Sequence, residues 1–260
     1  MCRKKRERGI ILPNMKESNS SFVMGRNPVA EALKSGRGIS RIVTVKHGEG
    51  SVKTLVAQAK ERRIPLRFAE RSELDRISKG GHHQGIIAFV EEYSYAGVDD
   101  ILQLAENRGE KPFVVILDNL EDPHNLGAIM RTAECAGVHG IIIGKNRSVA
   151  LNATAAKTSA GAVEYLPCAK VTNIPRTLDQ LKEKGLWIAA CDMDGETLYT
   201  ADLKVPLGIV IGNEGKGISR LVKEKCDFTV SIPMKGKITS LNAANAAAIL
   251  MYEVRRQMDA

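Results

Sequence analysis

The alternation of short apolar runs with helical patterns, from residue 112 onwards, limits the fold more than any other feature of this sequence. Five apolar runs predict strands, at Phe113–Leu117, Gly140–Ile143, Leu186–Ala190, Leu207–Ile211 and Phe228–Ile232. Four further patterns predict helices, around Leu126–Ala136, Ile174–Lys184, Ile218–Lys225 and Ser240–Arg256. Strands that are joined through helices lie parallel, and the helices cover both faces of the sheet. The pattern therefore predicts an α/β domain over residues 112–260, with a mostly parallel, doubly wound and unknotted sheet.

A smaller alternating module precedes this domain. It begins near Phe22, includes a helix start at Asn27 and Pro28, and ends with a strand at Ile86–Val90. We therefore predict a separate α/β domain over residues 22–92. Residues 1–21 are polar and basic without an apolar period, which is typical of a disordered arm. Residues 93–111 are predicted to be a polar linker with one helical turn at Ile101–Leu104.

Composition narrows the classes of function that the chain can have. It contains 38 Lys and Arg against 30 Asp and Glu, a net charge of +8, which favours a polyanionic partner such as RNA or DNA. The five cysteines are scattered and no pair has C-x-x-C spacing, so no metal site is predicted. No apolar stretch is long enough to span a membrane, and no secretion signal follows the basic N-terminal residues. We therefore expect a cytoplasmic protein without a membrane partner.

Ligands of parallel α/β sheets bind beyond the carboxyl ends of the strands, and three polar segments follow predicted strands here. The first segment covers residues 118–131, and a helix is expected to open near Asn125, which is placed to cap it. Arg131 lies within that helix, where it is either solvent-facing or functional. The segment contains no G-x-G-x-x-G pattern, which argues against a dinucleotide-binding Rossmann domain.

The second segment, Gly212-Asn-Glu-Gly-Lys-Gly217, is rich in glycine and lies between a strand and a helix. It does not match a P-loop, because Gly217 stands where Ser or Thr would hold magnesium and Glu214 would repel phosphate. One interpretation is a flexible turn. The other is a loop whose glycines let a flat ligand approach the backbone, beside a carboxylate that suits a cation such as the sulfonium of S-adenosylmethionine.

The third segment covers residues 232–242 and again leads from a strand into a helix. Ser240 is a candidate N-cap, and Asn242 and Asn245 lie on one face of an Ala-rich helix. These amides are either satisfied groups of a tightly packed core helix or part of a functional site.

Together and in this order, the three segments resemble the three motifs of the SpoU (TrmH-like) class of SPOUT methyltransferases. The matching stretches are 125–131, 211–217 and 232–242, and Ser240-Leu241-Asn242 before the Ala-rich helix is the most specific. Residues 24–33 and 83–88 are similar to the L30e-type RNA-binding domain that precedes the catalytic domain in many members, and residues 152–162 to the segment between the first two motifs. The closest pattern is that of enzymes that methylate the ribose 2′-hydroxyl of a guanosine in 23S ribosomal RNA.

The resemblance implies an RNA 2′-O-methyltransferase that uses S-adenosylmethionine, requires no metal and acts as a homodimer with the site at the subunit interface. It also implies a deep trefoil knot near the C-terminus, in contrast to the unknotted sheet that the residue pattern predicts. The residues that would hold the cofactor through backbone groups are Gly212, Ile232 and Leu241. The residues that would form the reaction centre are Asn125, Arg131, Glu214, Ser240 and Asn242.

Two roles are open for Arg131. Its counterpart in the family is proposed to be the base that accepts the proton of the 2′-hydroxyl, although a free guanidinium stays protonated in proteins. Alternatively, Arg131 clamps an RNA phosphate and polarises the hydroxyl. Three rival functions are also open: methylation of transfer RNA, RNA binding without catalysis, and a nucleotide-dependent α/β enzyme, which the missing P-loop and Rossmann patterns disfavour.

Overall fold

The structure, a computed structural model, describes residues 21–46 and 48–260. Apart from Ser21, the arm predicted for residues 1–21 lies outside the described residues. The first domain is a four-stranded sheet with the order β1-β4-β2-β3, in which β2 is parallel to β3 and antiparallel to β4. Its elements are β1 (Phe22–Met24), α1 (Arg26–Lys34), β2 (Ile39–Val45), α2 (Ser51–Glu61), β3 (Leu66–Ala69), α3 (Arg71–Ile77) and β4 (Ile86–Val90).

The second domain is a six-stranded sheet with the order β10-β8-β9-β5-β6-β7, and every neighbouring pair is parallel. Its elements are α4 (Val98–Arg108), β5 (Phe113–Leu117), α5 (Pro123–Cys135), β6 (Gly140–Gly144), α6 (Ala153–Thr158), a 3-10 turn (Ala162–Glu164), β7 (Cys168–Val171), α7 (Ile174–Glu183), β8 (Trp187–Thr197), β9 (Leu207–Ile211), α8 (Arg220–Lys223), β10 (Phe228–Ser231) and α9 (Ala243–Met258). The predicted parallel α/β sheet is confirmed.

Helices cover both faces of this sheet, as expected for strands that are apolar along their whole length. Every residue of β5, β6 and β9 is buried. Helices α5, α6 and α9 pack on one face, and α4, α7 and α8 pack on the other. The central strands are thus held on both sides, and their carboxyl ends have a fixed position.

Two strands differ from the sequence prediction. No strand was predicted between Ile143 and Leu186, but β7 lies there at the edge of the sheet, where its short run is interrupted by the exposed Lys170. Strand β8 continues to Thr197, well beyond the predicted end at Ala190, because its second half pairs with β10 after a register shift at Thr229 and Val230.

The segment that was predicted to be a polar linker is packed against the second domain. Residues 98–108 form the three-turn helix α4, in which Ile101 and Ala105 are fully buried. The Tyr93 hydroxyl donates to the Leu166 carbonyl and accepts from the amide of Cys168, and the Tyr95 hydroxyl accepts from the amide of Leu151. The connection between the domains is therefore docked along its length.

Direct contacts also join the two domains. Arg37 and Glu164 form an ion pair of 2.7 Å whose side chains are 14% and 6% exposed, and Arg37 also donates to the Glu91 carbonyl. The Tyr165 hydroxyl donates to Glu31 of α1. Breaking a buried pair of this kind by removing one partner leaves an uncompensated charge, so these contacts fix the relative orientation of the domains.

The trefoil knot that the family resemblance implies stays a prediction, since strand order and pairing do not describe how the chain threads. No helix within residues 21–46 and 48–260 has the length and apolar character needed to cross a membrane.

We expect Ile101→Ala to lower the free energy of unfolding by about 2–5 kcal/mol, because the deleted atoms leave a cavity in the core. Ile101 packs against Gly140 at the start of β6, where an added Cβ would meet it at 2.6 Å. Urea unfolding followed by circular dichroism measures the change. Gln103→Ala, on the exposed side of α4, is the matched control and should stay within about 0.5 kcal/mol of the parent. Equal, small effects in both variants would contradict the assignment of α4 to the core.

Candidate active site

The first polar segment leaves β5 and becomes α5 earlier than predicted. The helix begins at Pro123, and its N-cap is Asp122, whose carboxylate accepts from the amide of His124 at 2.8 Å. The N-cap predicted at Asn125 is therefore wrong, because Asn125 already lies in the first helical turn. Its side chain, which is 8% exposed, does not cap the helix and forms hydrogen bonds with other partners.

Those partners come from the other two segments. Asn125 Nδ2 donates to Glu214 Oε1, and Asn125 Oδ1 accepts from Asn242 Nδ2 at 3.0 Å. Asn242 Oδ1 in turn accepts from the amides of Ala244 and Asn245. One chain of amide hydrogen bonds thus runs from the N-terminus of α9 through Asn242 and Asn125 to the carboxylate of Glu214. Three of the five residues that were predicted for the reaction centre are joined in this way.

Asn242, and not Ser240, is the N-cap of α9, so the cap predicted at Ser240 is wrong. The physical reason is that the helix begins only at Ala243, so that Asn242 is the residue whose side chain meets the free amides of the first turn. Ser240 is exposed and lines a cavity in front of the third segment.

The glycine-rich loop is a tight hairpin. Asn213 and Gly217 exchange backbone hydrogen bonds of 3.0 and 2.9 Å, and Asn213 Oδ1 accepts from the amides of Gly215 and Lys216. A Cβ on Gly212 would lie 2.3 Å from the carbonyl carbon of Gly217. Glycine is required at position 212 because the loop folds back on itself and leaves no room for a side chain. The sequence had suggested a different reason, namely that the glycines let a ligand approach the backbone.

A cavity of ≈ 390 Å³ lies between this loop, the third segment and the middle of β8. All three residues that were predicted to hold the cofactor line it, together with two of the reaction-centre residues: Gly212, Ile232, Leu241, Glu214 and Ser240. Asn125 and Asn242 stand behind Glu214 in the hydrogen-bonded chain.

Arg131 is the exception among the predicted residues. It lies in α5, is exposed and does not line the cavity, and its side chain forms no hydrogen bond or ion pair within the part of the chain that the structure describes. The structure of the single chain therefore does not bring Arg131 together with the cavity.

One wall of the cavity was not predicted from the sequence; it is formed by Cys191, Asp192 and Met193 in the middle of β8. These residues directly follow the strand predicted at Leu186–Ala190, so the rule that ligands bind beyond the carboxyl ends of strands is the signal that could have found them. Lys223 forms ion pairs with Asp192 and Asp194 at 2.7 and 2.8 Å. Its hydrogen bond to Asp194 lowers the pKa of that carboxyl group. Burial raises the pKa of Cys191 to about 11, so this thiol is neutral near pH 7.

The cavity fits S-adenosylmethionine in size and chemistry. Its volume lies within the range of about 300–1,000 Å³ that is usual for small-molecule sites. Met193, Met234 and Leu241 are 66%, 36% and 36% exposed around it, which is apolar surface that a flat adenosine would cover. The carboxylate of Glu214 suits the positive charge of a sulfonium. No cluster of three His, Cys, Asp or Glu side chains that could hold a metal ion occurs in residues 21–46 and 48–260.

Comparison with known proteins agrees with this geometry. Residues 112–252 match the model of the SpoU rRNA Methylase family, and residues 22–96 match a model described as RNA 2′-O ribose methyltransferase substrate binding. YacO of Bacillus subtilis, a protein named as a TrmH family tRNA/rRNA methyltransferase, is 48% identical over 238 residues, which are 91% of this chain and 95% of YacO.

Two solved structures share both domains. The SpoU methyltransferase AviRb from Streptomyces viridochromogenes, in complex with the cofactor AdoMet (S-adenosylmethionine), is 27% identical with a TM-score of 0.79, over 91% of this chain and 89% of AviRb. The AdoMet-bound rRNA methyltransferase from Sinorhizobium meliloti is 25% identical with a TM-score of 0.75, over 92% of this chain and 88% of that one. The chain belongs to the SpoU (TrmH-like) family of S-adenosylmethionine-dependent RNA methyltransferases.

Proposed function

We propose that this enzyme methylates a ribose 2′-hydroxyl in structured RNA, and that its target is a guanosine of 23S ribosomal RNA. The observation that carries the proposal is the chain of hydrogen bonds from α9 through Asn242 and Asn125 to Glu214, beside a cavity that fits the cofactor. The match of the first domain to a model described as RNA 2′-O ribose methyltransferase substrate binding supports a ribose target. The likeness of both domains to a solved rRNA methyltransferase supports ribosomal RNA. We place the activity in the cytoplasm, where this substrate is found.

Gly212, Ile232 and Leu241 hold the cofactor in this proposal. Gly212 keeps the hairpin closed, so that backbone groups of the loop face the cavity, while Ile232 and Leu241 supply part of its apolar wall. S-adenosylmethionine supplies, when bound, a methyl carbon that its sulfonium makes electrophilic. The protein's main task is then to align the acceptor oxygen with that carbon.

Glu214 and Ser240 are the polar side chains at the cavity that serve the acceptor. Asn125 occupies one carboxylate oxygen of Glu214 and thereby leaves the other to accept the proton that the 2′-hydroxyl loses when its oxygen takes the methyl group. Asn125 and Asn242 are positioning residues in this arrangement, since their side-chain amides are bonded to other members of the chain of hydrogen bonds. Because that chain starts at backbone amides of a long helix, the orientation of Glu214 is fixed before substrate binds.

Arg131 acts on RNA across a subunit interface in this proposal. Its guanidinium keeps its proton and clamps a phosphate next to the acceptor hydroxyl, which fits its planar fork better than the role of base. The exposed face of α9 carries Ile249 and Tyr252, which are 38% and 52% exposed, and α9 packs beside α5. We propose a homodimer through this face, in which Arg131 of one protomer serves the cavity of its partner.

Methylation of transfer RNA is the alternative that one observation favours, since the name of YacO includes tRNA as well as rRNA. An RNA-binding protein without catalysis is the second alternative. Mapping of 2′-O-methylated nucleotides in ribosomal and transfer RNA from a deletion strain separates these functions. Loss of one methylated guanosine in 23S ribosomal RNA supports the proposal, and loss of a methylated nucleotide in transfer RNA, or no loss, contradicts it.

Gly212→Ala should abolish measurable binding of S-adenosylmethionine, because the added Cβ forces the hairpin open. Calorimetry measures the affinity, and circular dichroism checks that the protein is folded. Gly236→Ala is the matched control, since Gly236 lies in the third segment with no atom closer than 3.9 Å to an added Cβ. Normal affinity in Gly212→Ala would remove this loop from the cofactor site.

Arg131→Ala should leave the affinity for S-adenosylmethionine near normal and lower methyl transfer by orders of magnitude, as expected for a contact made in the transition state. Arg131→Lys should stay impaired, because an ammonium lacks the planar fork. Nearly full activity of the Lys variant would contradict the clamp.

Mixing the Arg131→Ala and Gly212→Ala proteins tests whether Arg131 acts across the interface. After subunit exchange between equal amounts of the two proteins, about half of the dimers are mixed, and each mixed dimer has one intact site of two. Activity should therefore return to at most about a quarter of the parent level. No recovery, with exchange verified by tagged subunits, would mean that Arg131 acts within its own protomer.

A fragment from Ala96 to Ala260 should bind S-adenosylmethionine yet methylate the RNA target poorly, because the first domain supplies RNA affinity. It must begin before α4, since Ile101 belongs to the core of the second domain. RNA affinity by filter binding and turnover are measured beside the full chain. Equal values for both proteins would contradict this division of labour.

A further inference from the structure

A second cavity of ≈ 470 Å³ lies at the carboxyl ends of β5, β6 and β7, apart from the cofactor cavity. Lys145 and Arg147 line it from the loop after β6, and Arg220 lines it from the start of α8. The N-cap of α7, Asn173, completes one side. Two separate connections thus place three cations around one open, concave surface.

The positive charge of this surface is largely uncompensated. Lys145 and Arg147 are exposed and form no ion pair within the described residues. Arg220 is paired with Glu224 at 2.6 Å, but the two side chains are 78% and 53% exposed, so water screens that pair and leaves it weak.

The acidic residue that lines this cavity, Asp118, does not offset these charges at the surface. It is 3% exposed, and its carboxylate oxygens accept from the amide of Ser219 at 2.7 Å and from Asn119 Nδ2 at 2.8 Å. The sequence around the loop is also poor in acids, since residues 135–178 include Glu164 as their single carboxylate. Glu164 is bound to Arg37 in the domain interface.

The basic cavity and the cofactor cavity lie on two sides of the same hairpin. The Asn119 carbonyl, at the edge of the basic cavity, accepts from Asn213 Nδ2 of the hairpin at 3.0 Å. Ser219, which also lines the basic cavity, lies two residues after the end of the hairpin at Gly217. A strand of RNA whose target ribose reaches Glu214 would therefore bring its neighbouring phosphates to the three cations.

We propose that Lys145, Arg147 and Arg220 bind the phosphodiester backbone of the substrate RNA beside the methylated nucleotide. The inference rests on the proposed function and adds a substrate contact in the catalytic domain, outside the three motifs. Three cations spread over an open surface suit an extended polyanion better than a small anion. Contacts to phosphate position a nucleic acid without reading its sequence, so this surface sets the register of the RNA on the enzyme.

The test uses the full-length protein with Lys145→Ala and Arg147→Asn combined. Asn is chosen at 147 because Arg147 has φ 54°, a left-handed conformation that Asn tolerates better than most residues. The control is Lys184→Ala with Lys225→Ala, which removes the same charge from two lysines already paired with Asp99 and Asp179. Binding to transcribed 23S ribosomal RNA and to a transfer RNA transcript is measured over a range of salt concentrations.

We expect the double variant to raise the Kd for RNA by about tenfold or more at low salt, through the loss of charge-assisted contacts. The slope of log K against log salt concentration should become shallower by about 1.4–1.8, the contribution of two phosphate contacts. The affinity for S-adenosylmethionine and the melting temperature should match those of the parent, and KM for RNA should rise more than kcat falls.

An unchanged salt slope, or a loss of RNA affinity no larger than in the control, would overturn this proposal. These results are separable from failure of the proposed function, which would appear as a parent protein that methylates no RNA. Even in that case, the salt slopes of parent and variant decide whether the basic surface contacts phosphate.

Discussion

The parallel register between β5 and β9 is the constraint on which the rest of the site depends. It pairs Leu117 with Ile211, so the segments that follow the two strands leave the sheet side by side at Asp118 and Gly212. Asp118 then accepts from the amide of Ser219 and ties the far end of the hairpin to the same place. A slip of one residue would turn every side chain of a strand to the opposite face, and both faces are fully packed. Packing on two sides therefore fixes the relative position of loops that lie about a hundred residues apart in sequence.

The location of the candidate site could be predicted from the sequence, while its internal geometry could not. Apolar runs and the rule for strand ends were sufficient to find the three segments, and the cavity contains Gly212, Ile232 and Leu241 together. The sequence could not show that Asn125 is freed from capping by Asp122, since both residues are good caps and spacing alone does not choose between them. It could not show either that Gly212 is needed for a backbone approach within the loop, because such contacts depend on three-dimensional closure.

The errors in secondary structure have a common physical cause, which is tertiary packing that overrides local pattern. Strand β7 is short and carries an exposed lysine, so it gains its extended form from pairing with β6. Helix α4 buries Ile101 and Ala105 among charged neighbours, a pattern too sparse to indicate more than one turn. The second half of β8 is polar and pairs with β10 only after a register shift. Each of these segments lies at the edge or periphery of the core, where local preference is weakest.

The docked connection around Tyr93 and Tyr95 holds the two domains at a fixed separation. Because the linker and the Arg37–Glu164 pair fix their orientation, the distance from the first domain to Glu214 is set before any RNA arrives. A large folded RNA contains many nucleotides that are chemically identical at the ribose. On the function that we propose, the nucleotide that lies at this fixed distance from the recognised structure is selected, so the enzyme chooses its target by distance rather than by the identity of the base.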